Sequence, residues 1–265
     1  MSLPLYLRGR RGASLILGMG LLTLSFAPGS TALDAPGPAR GDAGSTRPWV
    51  QGYHTRTAPV DRLLEALEGA RGTDTPVTLN ALVHESMAHG PSPRLLLTDN
   101  WLAWLLGALW SDARTTQDPV RLAGKGVGLC SDTVIVLGEL ANAAGFEFAM
   151  VDLQGHVVGQ SKSAFGSWIL DPSYGVCVEG GIRQFVGAAE DGTLEEILRG
   201  QGHDEQTVQA YLKIARRAET GAVTRPMGVL SPRLARVEST LAALSWVLPL
   251  ALIFMALLPR VSLRS

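Results

Sequence analysis

From Leu241 to Leu258 the chain reads LAALSWVLPLALIFMALL, eighteen residues without a charge. An α-helix rises ~1.5 Å per residue, so the run reaches ~27 Å, close to the ~30 Å hydrocarbon thickness of a bilayer. In lipid every backbone N–H and C=O must be satisfied within its own segment, which leaves a helix as the form for such a run. The competing reading is a buried core helix. The run is apolar all round and follows a Pro/Gly-bearing stretch, Thr220 to Pro232, which favours a membrane span with Pro249 as a point where it can kink.

The other end of the chain has a matching character. Arg8, Arg10 and Arg11 precede an apolar run from Ala13 to Ala27, and small residues Ser30 and Ala32 follow at the spacing of a signal peptidase site. Positive charge stays on the cytoplasmic side, so the chain after this run is expected to cross. A cleaved signal and an uncleaved anchor both fit. Hydrophobic residues make up 46% of the chain and charged residues 18%, and these two apolar segments account for much of the imbalance. The formal net charge is −1 with no long Lys/Arg run, which argues against a nucleic-acid partner.

The expected organisation is therefore residues 1–32 as signal peptide or N-terminal anchor, 33–58 as an irregular linker and 59–219 as a folded domain. Residues 220–236 are a second linker, 237–259 the transmembrane helix and 260–265 a short tail. Linker 33–58 is rich in Pro, Gly, Ala, Ser and Thr and cannot bury enough apolar surface to offset its ordering entropy; Trp49, Val50 and Tyr53 can dock onto the domain. Inside the domain, helical spacing is read over Val60–Ala70 and over Pro76–His89, with Thr75 as N-cap. A third helix, capped by Thr98 or Asp99, runs through Trp101, Leu102, Leu105 and Leu109 and is apolar enough to be central to the core. After Gly124–Gly128 a helix is predicted from Cys130 to Ala144, ended by Gly145. Strand-like pieces follow at Phe146–Leu153, His156–Gln160 and Trp168–Leu170, with Gln154-Gly155 and Ser161–Ser167 as turns. Helices at Leu194–Arg199 and Glu205–Glu219 close the domain. A helix followed by hairpin-linked strands indicates an α+β fold with a short antiparallel sheet.

Cys130 stands at the start of its helix, where unpaired backbone N–H groups lower a thiol's pKa. The thiolate is the nucleophile, and it needs a base and an orienter for that base. His156 begins one strand and Asp171 ends a neighbouring one, so an antiparallel arrangement brings the imidazole between sulfur and carboxylate. Asp132 suits the helix dipole, although its charge opposes the thiolate slightly.

The stretch GVGLCSDTVIVLGELANAAGFEFAMVDLQGHVVGQ…WILDPSYGV resembles the transglutaminase-like superfamily. The matching pieces are Gly128-Leu129-Cys130-Ser131-Asp132, Gly155-His156-Val157 and Trp168-Ile169-Leu170-Asp171-Pro172, and the likeness covers about Trp101 to Val178. It implies a papain-like core, a Cys-bearing helix packed on a sheet that carries His and Asp. It also implies Cys130 as nucleophile, His156 as general base and acid, and Asp171 as orienter. The Cys130 N–H is one expected oxyanion donor; Asn100 and Trp101 are candidates for a second, side-chain donor.

The expectation is a membrane-anchored, extracytoplasmic (periplasmic) cysteine enzyme that acts through a thioester on a peptide or carboxamide, as hydrolase or as transferase. Partnership with envelope or exopolysaccharide assembly machinery enters by analogy alone. The proposed chemistry needs no metal or organic cofactor. The alternative is a binding or scaffold module with an idle triad; a buried Cys with an unrelated strand His and turn Asp is the blander possibility. Cys177 can be a buried thiol or the partner of Cys130 in a disulfide, which would remove the nucleophile. His84-Glu85…His89 is one residue too long for a zinc helix motif and reads as a solvated face. Gly124–Gly128 lacks phosphate-loop spacing, and His54 and His203 read as surface residues.

Overall fold

The computed structural model describes residues 5–26, 75–97, 99–164, 166–226 and 232–258. The helix expected over Val60–Ala70, linker 33–58 and His54 lie outside the described residues. In chain order the elements are α1 (Leu5–Phe26), α2 (Thr75–Ser86), β1 (Ala88–His89), α3 (Trp101–Leu106), a 3-10 turn (Ser111–Arg114), α4 (Pro119–Lys125), β2 (Val127–Gly128) and α5 (Cys130–Ala143). Then come β3 (Glu147–Asp152), β4 (Val157–Ser163), β5 (Gly166–Asp171), β6 (Val176–Glu179), α6 (Ile182–Glu190), α7 (Thr193–Gly200), α8 (Glu205–Gly221), β7 (Val223–Pro226) and α9 (Pro232–Leu257). The architecture is mixed helix and sheet. The chain divides into two compact units, one of residues 1–30, 94–116 and 231–265, the other of 31–93 and 117–230.

In the first unit α1 and α9 pair side by side. A Cβ on Gly18 would stand 2.8 Å from Ile253 and 2.9 Å from the Pro249 carbonyl oxygen, while Ser25 Oγ donates to the Ser245 carbonyl at 2.9 Å. Higher numbers on α1 thus meet lower numbers on α9, so the pair is antiparallel. A glycine at the closest approach is how helices pack tightly without a hydrophobic drive between them. Arg236–Leu257 of α9 is long and apolar enough to cross a membrane, with 17% of it buried in the protein.

The segment 94–116 packs on α9 in the same unit. Asn100, and not Thr98 or Asp99, caps α3: its side chain accepts from Leu102 N at 3.1 Å and Ala103 N at 3.0 Å. Asp99 is engaged one turn earlier, by Leu96 N. Nor is α3 central to the core of the large unit. Ala103 is buried in a small cluster with Leu95, Ala113 and Leu241, and Trp101 is buried too, while Leu105 and Leu109 are 54% and 89% exposed.

In the second unit, among the described residues, five strands form an antiparallel sheet in the order β6-β5-β4-β3-β7. Side chains alternate across it. Phe148, Met150, Trp168 and Leu170 face a core built with α2, α4 and α5; Val151, Val158, Ile169 and Val176 face a second core built with α6, α7 and α8. Gly159 leaves room for the Phe148 ring, which a Cβ there would strike. Three elements depart from expectation. The stretch read as a linker after residue 220 contributes edge strand β7, where a terminal Pro is tolerated because the outer edge needs no ladder donor. The Ser161–Ser167 stretch is mostly strand, with its turn confined to its middle. The helix expected to run to His89 stops at Ser86, and Ala88–His89 pair in parallel with Val127–Gly128.

Candidate active site

Three local structures deliver the three predicted residues. The first is the start of α5. Gly126, at φ +63, ends α4 in the left-handed region, as helix C-termini often do, and the short β2 leads directly into the new helix. Leu129 offers no side-chain cap. Asp132 substitutes from the third helical position, accepting from Leu129 N at 2.9 Å and from Ser92 Oγ at 2.7 Å. Burial raises the Asp132 carboxyl above the usual range, against the pull of those two donors. Thr133 Oγ1 donates to the Cys130 carbonyl at 2.9 Å, which leaves the thiol at the open first turn.

The second is the β3–β4 hairpin. Gln154 and Gly155 carry φ of +60 and +115, and Leu153 N donates to the His156 carbonyl at 2.7 Å. This is the two-residue turn with both central residues at positive φ that matches strand twist. It sets His156 immediately before β4. The third is the end of β5. Gly159 pairs with Leu170, so the next step opposes Val158 to Asp171 and makes His156 the diagonal neighbour of Asp171, within reach of long side chains.

The structure brings all three together. His156 Nε2 lies 2.5 Å from Asp171 Oδ2, which leaves Nδ1 for the Cys130 thiol, and the two side chains are hydrogen-bonded. Asp171 is fully buried and His156 is 5% exposed. The carboxylate has four donors. Oδ2 accepts from His156 and from Tyr211 Oη at 2.8 Å; Oδ1 accepts from Ser173 N at 2.9 Å and Tyr174 N at 3.3 Å. Burial pushes this carboxyl up, yet the imidazolium and the other donors hold it below its ordinary value. Burial likewise disfavours the His156 charge, but the Asp171 charge and hydrogen bond outweigh it and raise the imidazole to about 10. At Cys130 burial is the largest influence and opposes ionisation. The His156 hydrogen bond and charge, with the Val157 N–H, overcome it and lower the thiol from its ordinary value. A thiol lowered in this way can share its proton with the imidazole, an arrangement suited to nucleophilic chemistry.

Residues without an assigned role in the sequence complete the setting. Tyr211, on the buried face of α8, braces Asp171 and lies edge-on to His156 at 5.6 Å between ring centroids. Tyr174 stands edge-on to the same imidazole at 5.3 Å, with Tyr211 at 4.8 Å and His203 at 5.3 Å around it. His203 is thus no plain surface residue: its Nε2 also meets the Tyr174 carbonyl at 3.2 Å. His84 is 8% exposed, not on a solvated face, with Nδ1 at 2.8 Å from the Pro172 carbonyl. Both histidines grip the loop that follows Asp171, and Ser173 Oγ ties that loop to Thr133 of the cysteine's helix at 3.0 Å.

Cys177 and Cys130 are both free thiols. Cys177 packs beside the core, and burial, then the charge of Glu179, push it up to about 12. Asn100 is occupied as the α3 cap, and Trp101 Nε1 donates to Ser25 Oγ and the Ser245 carbonyl at 3.2 and 3.1 Å. The Trp101 indole N–H is thus engaged within the first unit, and so is the Asn100 amide oxygen. No group of three or more His, Cys, Asp or Glu among the described residues could hold a metal ion. No protein-family model matches the chain, and no curated protein matches it.

Proposed function

We propose that this chain is a membrane-anchored cysteine-dependent acyl-transfer enzyme of the transglutaminase-like kind, with Cys130, His156 and Asp171 as its triad. The observation that carries the reading is the buried, four-donor Asp171 holding His156 against a thiol whose pKa is lowered. A core histidine without a catalytic task needs no fully buried carboxylate behind it, because burying that charge is costly. The Cys130 sulfur attacks the carbonyl carbon of a peptide or carboxamide. A carbon–sulfur bond forms, the carbon–nitrogen bond breaks, and His156 gives its proton to the departing amine. Water or a second amine then displaces the thioester, which separates a protease or amidase from a cross-linking transferase. Donors at the start of α5, the Cys130 N–H first, are suited to the tetrahedral oxyanion.

The reading puts this unit on the extracytoplasmic side. The arginine-bearing start of α1 and the C-terminal end of α9 share one end of the antiparallel pair, and Arg260 and Arg264 follow α9; positive charge favours the cytoplasm. Arg233 and Arg236 at the other flank reduce the contrast. Envelope proteins or peptides are the accessible substrates, and an exopolysaccharide-assembly partner rests on analogy.

The test is iodoacetamide alkylation of the detergent-solubilised full chain against pH, with the modified peptide identified by mass. Cys130 reacts well below pH 8 and Cys177 stays inert. A Cys130 that reacts only above pH 8, as a free thiol does, leaves the scaffold reading with an idle triad in its place.

A further inference from the structure

We infer that α3 and the turn after it form an interfacial anchor, a surface that beds into the headgroup–acyl boundary of the outer leaflet. The inference rests on α9 spanning the bilayer. From Trp101 to Trp110 the chain reads WLAWLLGALW, with no charge. One side of this stretch is buried with Leu95, Ala113 and Leu241. The other side leaves Trp104 and Trp110 each 42% exposed, Leu105 54% and Leu109 89%, with Leu97 nearby at 37%. Water is a poor solvent for a contiguous set of this kind, and such patches mark interaction sites.

The position on α9 says what covers it. Trp101 Nε1 donates to the Ser245 carbonyl, and Val237 and Leu241 pack against the same cluster. Ser245 lies four residues inside the uncharged run that begins at Leu241, about 6 Å at ~1.5 Å per residue. Interfacial helices bury their apolar side ~5–10 Å into the headgroup–acyl boundary. The charged residues Arg236 and Glu238 lie just beyond, and Glu238 accepts from Thr116 Oγ1 at 2.6 Å, so the polar end of the segment faces away from the apolar run. On α9 itself, Trp246, Val247 and Leu250 are 39%, 55% and 52% exposed. Two indoles at this depth are what membrane interfaces collect, an apolar ring with one N–H to be kept wet. A second copy of the chain is the rival occupant.

The experiment reconstitutes the full chain in phosphatidylcholine vesicles whose acyl chains carry bromines near the headgroup, and compares it with the W104F/W110F double variant. Trp104, Trp110 and Trp246 are the tryptophans more than a third exposed among the described residues. Removing two of the three should cut the quenchable emission to about a third, as interfacial indoles require. Unchanged quenching overturns the proposal. Quenching in the parent that weakens as protein is raised relative to lipid overturns it too, in favour of a second copy. An unchanged far-ultraviolet circular dichroism spectrum and melting temperature show that the variant is folded. Alkaline carbonate extraction tests the span separately: a chain released from the membrane sinks the spanning reading, whatever the tryptophans do.

Discussion

Asp171→Asn isolates the charge of the orienter from its shape. The amide carries two N–H donors on one side, and the structure offers it two placements. Turned toward the loop, it confronts Ser173 N and Tyr174 N, fixed backbone donors that cannot become acceptors. Two orphaned buried donors cost about 1–3 kcal/mol each. Turned toward His156 and Tyr211, it meets groups that can adapt. The Tyr211 hydroxyl rotates to accept, and His156 accepts at Nε2 as the neutral tautomer with its proton on Nδ1. The second placement therefore wins. Its stability cost is about 1–3 kcal/mol for the imperfect contacts, or a melting temperature lower by roughly 2–12 °C at 2–4 °C per kcal/mol for a chain of this size. Its chemical cost is larger. An imidazole protonated on Nδ1 cannot take the thiol's proton. With the carboxylate charge gone, burial drives His156 down from about 10, and Cys130 loses the imidazolium that held it low. Alkylation at pH 7 should fall about tenfold for each unit by which the thiol rises, with the whole profile moved to higher pH. The assays are the alkylation profile and thermal unfolding, run on the same preparations. A D171N chain that keeps the parental profile refutes the account of the triad, and a melting loss several times larger refutes the choice of placement.

Turnover should be bell-shaped in pH: the acid limb lies below the ordinary thiol value of 9.0 and the alkaline limb near 10, where His156 loses the proton owed to the leaving amine. Stability follows the same group. Its folded value is raised, so its contribution is full below about 6.5 and fades as pH climbs through about 10; a denaturation midpoint that holds steady across that window contradicts this. Tyr211→Phe removes one donor to a buried carboxylate and should cost about 1.5–3 kcal/mol in denaturant unfolding, with kcat reduced more than KM is changed; equal loss in both would show a disturbed substrate site instead. Gly18→Val places side-chain atoms where 2.8 Å separates a bare Cβ from Ile253, so cross-linking between cysteines introduced on α1 and α9 should drop, and undiminished yield would mean the helices do not touch there.

Much of the candidate site was legible because each of its parts is made locally. A cysteine after a glycine-bearing turn, a histidine after a two-residue hairpin turn and an aspartate before a proline are all visible within a few residues. Tyr211 was hidden for the opposite reason. It shares its face of α8 with Val208, Leu212, Ala215 and Ala218, so the periodicity reports burial, and only tertiary packing reveals a carboxylate beyond the ring. His84 misled because a polar residue on a helix suggests solvent; its partner, the Pro172 carbonyl, lies 88 positions away. The apolar α3 pattern was recognised but credited to the wrong core, since hydrophobic spacing does not say whether lipid or protein will cover a face. Strand β7 is four residues long, too short for a period-two pattern to stand out.

Ser25 and Ser245 are joined across 220 positions of sequence. During synthesis α1 is made well before α9, with the rest of the described elements between them. At ~5–20 residues per second, α1 waits on the order of 10–45 s for the helix that fills the space beside Gly18. Through that interval its polar groups must be met by lipid, translocation machinery or a passing neighbour. The closing of the helix pair is thus a clock on biogenesis: it cannot be set until α9 has been made, after the unit that carries the five-stranded sheet has had its chance to fold.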